Sequence, residues 1–439
     1  MSYRRAFTIV TAVVLGLTAL APGANSAPPD PRNDVAWVLA EEDAGAVRAY
    51  VEQHPQDFSG FWLDRARNRF VVAVPEGLDA APRTGALRRL APVRAASAFT
   101  APVEVQRRPT SLAVLNDALA EVGEELTAAT SPVNSWYVDE QLGKVVVEVG
   151  EDVAGATASV TESVTASVTG VVDADLVSVV TVKGRNTTHK AVVPVREPVK
   201  AVKVTKSRVD ELNAMAYPGP DREYDHLPFY TGNRIIRWDE GQVSWCSSAS
   251  VNYARTHMYT AGHCFVVGQE ILQGYFDQAA NLIYYSDEIG SVVSSQWGNN
   301  RIDAQSLSTT KYANRQYHGG VTTQNYLTQF KNTSAYTGMR VCGNGSVSGT
   351  RCAGELVRTN VCVTYADDGV TPCGMSVVQS LTTTPLSQSG DSGGPVILDS
   401  TGTGAQVVGI ISGGNDTQRT LFYSPIAAAC AQVSPFTCD

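Results

Sequence analysis

All eight cysteines of this 439-residue chain fall from Cys246 onward, which divides it into two parts that must be held together differently. An even count confined to one stretch of an exported chain reads as a disulfide framework. The cysteine-free first part has only its own core to rely on. Connectivity among eight cysteines cannot be deduced from spacing alone. A zinc site is the rival use of such residues, but neither a Cys-x-x-Cys pair nor a His-Glu-x-x-His motif occurs, so no metal or other cofactor is expected.

The first residues give the compartment. Arg4-Arg5 precede an uncharged apolar run from Ala6 to Ala21, followed by Pro22-Gly23 and the small residues Ala24-Asn25-Ser26-Ala27. That order fits a secretory signal over residues 1–26, cut after Ser26. The twin arginines leave the export route open. The run is short for a membrane span, and no later one is long and apolar enough, so a secreted, extracellular product without a span is expected.

Residues 27–200 contain an internal repeat. Phe61-Trp62-Leu63-Asp64 and Asn68-Arg69-Phe70-Val71-Val72-Ala73-Val74 recur as Trp136-Tyr137-Val138-Asp139 and Gly143-Lys144-Val145-Val146-Val147-Glu148-Val149. Each copy reads as a hairpin, and apolar residues at helical spacing precede each, around 40–53 and 112–126. Valines at 160, 164 and 168 predict one stripe of a further helix, and Asp175–Val182 a strand. The part is therefore α+β. Lys200, Lys203, Lys206 and Arg208 then give way to Tyr217-Pro218-Gly219-Pro220, so residues 201–226 read as a linker open to proteolysis.

Three motifs in the second part carry chemistry. Thr260-Ala261-Gly262-His263-Cys264 offers a base, Arg301-Ile302-Asp303-Ala304 an acid, and Gly390-Asp391-Ser392-Gly393-Gly394-Pro395 a serine on a tight glycine turn. A serine hydroxyl is a poor nucleophile near neutral pH. His263, with a reference pKa of about 6.5, can take its proton. Asp303 would fix the histidine tautomer, and the amides of Gly390 and Ser392 converge on a developing oxyanion. The order His, Asp, Ser points to a hydrolase. The remaining histidines, His54, His189, His226, His257 and His318, have no such context and read as structural or exposed.

With these motifs the stretch 227–439 resembles a chymotrypsin-family serine peptidase, closest to the bacterial streptogrisin and α-lytic protease branch. Ser412-Gly413-Gly414, after Val407-Val408-Gly409-Ile410-Ile411, resembles the strand on which that family aligns substrate backbone. Pro228-Phe229-Tyr230-Thr231-Gly232 resembles the first strand, and Thr420–Ile426 the last. The resemblance implies an all-β catalytic domain of two six-stranded antiparallel barrels, a supporting role for Ser412 beside Asp303, and bridges Cys246–Cys264 and Cys342–Cys352. Cys362–Cys373 and Cys430–Cys438 then pair as neighbours. It also implies that residues 27–200 are a pro region, foldase and inhibitor in cis. All-β barrels are rich in non-local pairings and fold slowly, which makes such help reasonable.

Two departures from the branch stand out. Gly343, not arginine, follows Cys342, so Asp391 needs another partner, with Arg340 one candidate. Leu386, Ser387, Gln388 and Ser389 line the primary pocket by resemblance and include no acid, so large apolar or aromatic side chains are the expected preference unless Asp416 reaches in. Arg234-Ile235-Ile236 looks like the activation cut of animal relatives but lies too close to Cys246. A net charge of −9 argues against nucleic-acid partners. The reading is a secreted, monomeric serine endopeptidase made as a precursor and acting on proteins or peptides. The alternatives are an esterase with the same triad and a non-catalytic binding protein of the same fold.

Overall fold

A computed structural model describes residues 37–435 apart from 91–98, 128–131, 152–156, 196–197, 205–221, 240, 324, 333–334 and 400–403. The signal segment and Cys438 lie outside the described residues. No helix among those described is long and apolar enough to cross a membrane.

The internal repeat is longer than the sequence reveals. In the first copy, helix Ala44–Gln53 leads into the hairpin Gly60–Asp64 and Arg69–Pro75, then helix Ala80–Leu90 and strand Thr100–Arg108. The last strand pairs in parallel with the second strand of the hairpin. The second copy repeats this order with helix Leu112–Thr127, strands Val133–Asp139 and Lys144–Gly150, helix Thr157–Val171 and strand Val177–Val182, again parallel.

Alternation along Lys144–Gly150 explains how the second copy sits between two cores. Val145, Val147 and Val149 point one way, packing with Val122, Leu126, Val164 and Val168 of the two helices. Val146 points the other way and joins Tyr137 against Val361, Val363, Tyr365 and Phe422 of the following part. The hairpin edge also pairs with strand Gly349–Val363, matching Trp136 to Cys362 and Ser135 to Val363.

Two closed six-stranded antiparallel barrels follow, in agreement with the resemblance. In the first, Arg234–Asp239 pairs with Gln242–Ser247, which continues as Ser250–Val251 onto His257–Thr260. The ring runs on through Ala304–Ser308, Leu282–Gln296 and Glu270–Asp277 back to Arg234–Asp239. The second ring runs Arg340–Gly345, Gly349–Val363, Met375–Ser380, Thr420–Pro425, Gly404–Asn415, Pro395–Leu398 and back to its start. Arg234-Ile235-Ile236 is part of a buried barrel strand.

Of the stretch read as a linker, residues 205–221, with Lys206, Arg208 and Tyr217-Pro218-Gly219-Pro220, lie outside the described residues, and its described ends are ordered against the barrels. Lys200–Lys203 forms a strand parallel to Leu282–Gln296, and Arg222 and Tyr224 are fully buried. Arg222 donates to the carbonyls of Gly232, Gly345 and Gly319, and Tyr224 packs with Tyr275 and Tyr284 of the first barrel.

Candidate active site

Three barrel edges meet at the seam. His263 follows strand His257–Thr260, Asp303 immediately precedes Ala304–Ser308, and Ser392 sits on the turn before Pro395–Leu398. A disulfide from Cys246 to Cys264, with an S–S distance of 1.99 Å, ties the histidine turn to its neighbouring strand. Gly262 lets that turn close, because a Cβ there would stand 3.0 Å from both Ala304 N and Gln296 O.

Asp303 is buried and accepts hydrogen bonds on both oxygens. Its Oδ2 lies 2.6 Å from His263 Nδ1, and its Oδ1 takes the His263 amide at 2.9 Å. Ser412 Oγ donates to Oδ2 while accepting from Tyr365 Oη at 2.6 Å. Burial, with Asp303 nearby, pushes the Tyr365 phenol well above its ordinary range, keeping it a donor. On the far side of the ring His263 Nε2 lies 2.9 Å from Ser392 Oγ. That hydroxyl is also 2.8 Å from Ser412 O. The structure therefore brings together His263, Asp303, Ser392 and Ser412 in one hydrogen-bonded row.

The glycine turn is forced into shape by what surrounds it. Gly390 and Gly393 have φ of +97° and +81°, which side chains rarely adopt. A Cβ on Gly393 would collide with Thr260 and Ser247. The turn aims the amides of Gly390 and Ser392 at one oxygen, the carbonyl of His189, at 2.5 and 3.2 Å. His189 belongs to the first part of the chain. By sequence it reads as structural or exposed, yet it lies at the centre of the cleft.

Asp391 is satisfied without Arg340, the partner suggested by the sequence. Its Oδ1 accepts the amides of Val347 and Ser348 at 2.8 and 3.0 Å, and Oδ2 that of Gln388 at 2.9 Å. Arg340 instead pairs with Glu355 at 3.1 Å. The positive charge that Asp391 feels comes from Arg222, fully buried, whose guanidinium donates to Gly232 O at 3.0 Å and Gly345 O at 3.3 Å. Burial lowers the Arg222 pKa to about 10.

The pocket residues divide. Ser387 Oγ lies 2.9 Å from His189 Nδ1, and a Cβ on Gly414 would be 2.7 Å from His189 Cε1. Gly413 and Gly414 pair through their backbone with Thr188 and Thr187. Leu386 does not line the pocket. Its side chain joins Val341, Leu356, Val378 and Leu421 in the barrel core, because alternation sends it opposite to Ser387. Sequence reading missed Tyr365, Arg222 and His189, and also Asp367, which accepts from Thr188 N at 3.0 Å and Thr188 Oγ1 at 2.7 Å.

Further bridges join Cys342 to Cys352 and Cys362 to Cys373, and Cys430 is also disulfide-bonded. The sulfurs near His263, and those of Cys342 and Cys352 near Asp399, are held in these bridges, so neither cluster offers a thiolate to a metal.

Residues 110–167 match the family model described as the alpha-lytic protease prodomain, which covers helix Leu112–Thr127, the hairpin and the larger part of helix Thr157–Val171 in the second repeat. Three solved structures each match a little under half of the chain. Chymotrypsin of Cellulomonas bogoriensis is 24% identical, over 45% of this chain and 91% of that one, with a TM-score of 0.32. Protease A of Thermobifida fusca is 23% identical over 46% and 94%, with a TM-score of 0.34. Nocardiopsis protease is 24% identical over 45% and 92%, with a TM-score of 0.31. No curated protein matches the chain. The chain is thus similar to a protease pro region over residues 110–167 and, over less than half of its length, to bacterial chymotrypsin-like serine proteases.

Proposed function

We propose that the protein is a secreted serine endopeptidase made as a precursor, in which residues of the first part fill the cleft until they are cut away. Ser392 is the nucleophile, His263 the base, Asp303 its orienting carboxylate, and the amides of Gly390 and Ser392 stabilise the oxyanion. The observation that carries this reading is the coincidence at one point of three features. The His189 carbonyl accepts from both amides, His189 N and Ser392 Oγ both donate to the Ser412 carbonyl, and His263 Nε2 is 2.9 Å from the Ser392 hydroxyl.

Attack of Oγ on a carbonyl carbon passes the serine proton to His263 Nε2. The imidazolium that forms is stabilised by Asp303, which remains ionised. Collapse breaks the C–N bond as His263 returns the proton to the leaving amine. Water then attacks the acyl carbon as it loses a proton to His263. Collapse breaks the bond to Ser392 Oγ, which takes that proton back while the acyl group leaves as a carboxylic acid that ionises in solvent. The amides supply the electrostatic part of catalysis, where one donor is worth about 100- to 1,000-fold. Tyr365 and Ser412 hold Asp303 in place, as positioning residues. The test is casein and peptide hydrolysis by the secreted wild type beside Ser392→Ala. Loss of order a million-fold is expected. Hydrolysis of small esters with proteins untouched would favour the acyl-hydrolase alternative.

A further inference from the structure

We infer that the precursor is cut between His189 and Lys190, and that the pocket holding His189 selects peptides with histidine on the acyl side of the broken bond. This rests on the serine-peptidase reading above and names its substrate class.

The register of the chain through the cleft supports the cut. Thr187 and Thr188 pair antiparallel with Gly414 and Gly413, and His189 N donates to Ser412 O at 3.2 Å. Beyond Lys190, Ala191–Pro194 pairs antiparallel with strand Gln242–Ser247 of the other barrel, Ala191 opposite Trp245. The backbone is thus gripped on both sides of one peptide bond, the one whose carbonyl faces the two amides. An inhibitory tail needs a grip on one side only. A substrate needs both. Attack by Ser392 on the His189 carbonyl carbon breaks the bond to Lys190 N, which leaves as an amine with the proton from His263. Water then releases the His189 carboxylate.

A tethered segment can be cut after a poorly fitting residue because its effective concentration is high. The side-chain chemistry argues for fit. The ring of His189 is buried, with Nδ1 2.9 Å from Ser387 Oγ. Its Nε2 has no hydrogen-bond partner among the described residues and lies 3.8 Å from Asp416 Oδ1. A neutral ring protonated on Nε2 would accept from the Ser387 hydroxyl and turn its N–H towards Asp416. Burial lowers the pKa of this ring, consistent with the neutral form. Leucine or phenylalanine would leave the buried Ser387 hydroxyl unpaired, which costs roughly 10- to 100-fold in kcat/KM. Arginine needs depth and a carboxylate at the base, whereas Asp416 is largely exposed at the rim.

The test uses the full secreted chain. Sequencing the N-terminus of the mature enzyme should give Lys190. The mature enzyme is then offered peptides reading Asn-Thr-Thr-X-Lys-Ala, with X histidine, leucine, phenylalanine, arginine or glutamine. Histidine is expected to lead leucine and phenylalanine by about 10- to 100-fold in kcat/KM, and Ser387→Ala to shrink that lead by about tenfold. In the precursor His189→Leu should slow processing, and the peptide series does not depend on how that variant folds. A mature terminus elsewhere, or equal or faster cutting at another X, overturns the inference. If the enzyme is labelled by a fluorophosphonate while histidine has no lead, the specificity alone falls. With no labelling and no cutting, the underlying function falls with it.

Discussion

Asp303→Asn is nearly isosteric, and the hydrogen bonds around the carboxylate decide what it does. His263 N donates to Oδ1, so the amide oxygen of an asparagine must face that backbone group. Its NH2 is then turned towards His263 Nδ1 and Ser412 Oγ, the two partners of Oδ2. Nδ1 must become an acceptor, which moves the ring proton to Nε2. The nitrogen facing Ser392 is then a donor and cannot take the serine proton. In a trypsin-type triad the same change, through the same wrong tautomer, lowers kcat by about 10⁴, and a loss of that order is expected here. Ser412 Oγ is also left between two donors, Tyr365 Oη and the new NH2, at a stability cost of about 1–3 kcal/mol. The assay is kcat on a histidine peptide after active-site titration, with thermal unfolding alongside. A loss smaller than about tenfold in a folded variant would refute the assignment of Asp303.

Other outcomes follow from the same contacts. The ratio of kcat/KM for histidine over leucine peptides should rise about tenfold from pH 5.5 to 7.5, because a free imidazole of pKa about 6.5 must lose its proton to enter a site where burial disfavours its charge. Asp416, Asp391 and Asp367 face the ring and oppose that shift while His263 adds to it, and the ratio cancels the titration of the catalytic base. A flat or falling ratio would mean that the imidazolium is bound. Arg222→Met should strip Asp391 of its buried counter-charge and lower stability by roughly 3 kcal/mol, read as a fall in melting temperature of the secreted protein. Arg358→Ala removes a cation 4.4 Å from the Tyr137 ring and 3.5 Å from Glu148, so after processing the cut pro segment should bind the peptidase about tenfold less tightly, measured by co-elution. Gly393→Ala, at φ of +81° against Thr260, should yield no active enzyme on a peptide assay.

The residues proposed as the triad are legible in the sequence because their chemistry is written locally. The glycine turn around Ser392 demands unusual backbone and the Ala-Gly-His-Cys run around His263 a close approach at Gly262, and such demands appear as residue types within a few positions. The repeat is half legible: an aromatic-rich run, a polar turn and a valine-rich run read as a hairpin in each copy. Helix Ala80–Leu90 and strand Thr100–Arg108 lack a clear stripe, and their place comes from the parallel pairing with Arg69–Pro75. Counting back from Ser392 puts Leu386 in the pocket, but a one-residue change of face sends it to the core. Arg222 and His189 carry no local signal. Each acquires its meaning from a partner distant in sequence, Asp391 for one and the Gly413-Gly414 edge for the other. The run Asn186-Thr187-Thr188-His189-Lys190 is ordinary extended chain until that edge pairs with it.

The most direct test of the serine mechanism is a fluorophosphonate titration of the secreted protein beside its Ser392→Ala twin, with the labelled residue located by peptide mass and casein hydrolysis followed in the same samples. One equivalent of label on Ser392 is expected, with hydrolysis abolished on labelling and neither label nor hydrolysis in the variant. Hydrolysis that survives full labelling, or that persists in Ser392→Ala, would contradict the mechanism.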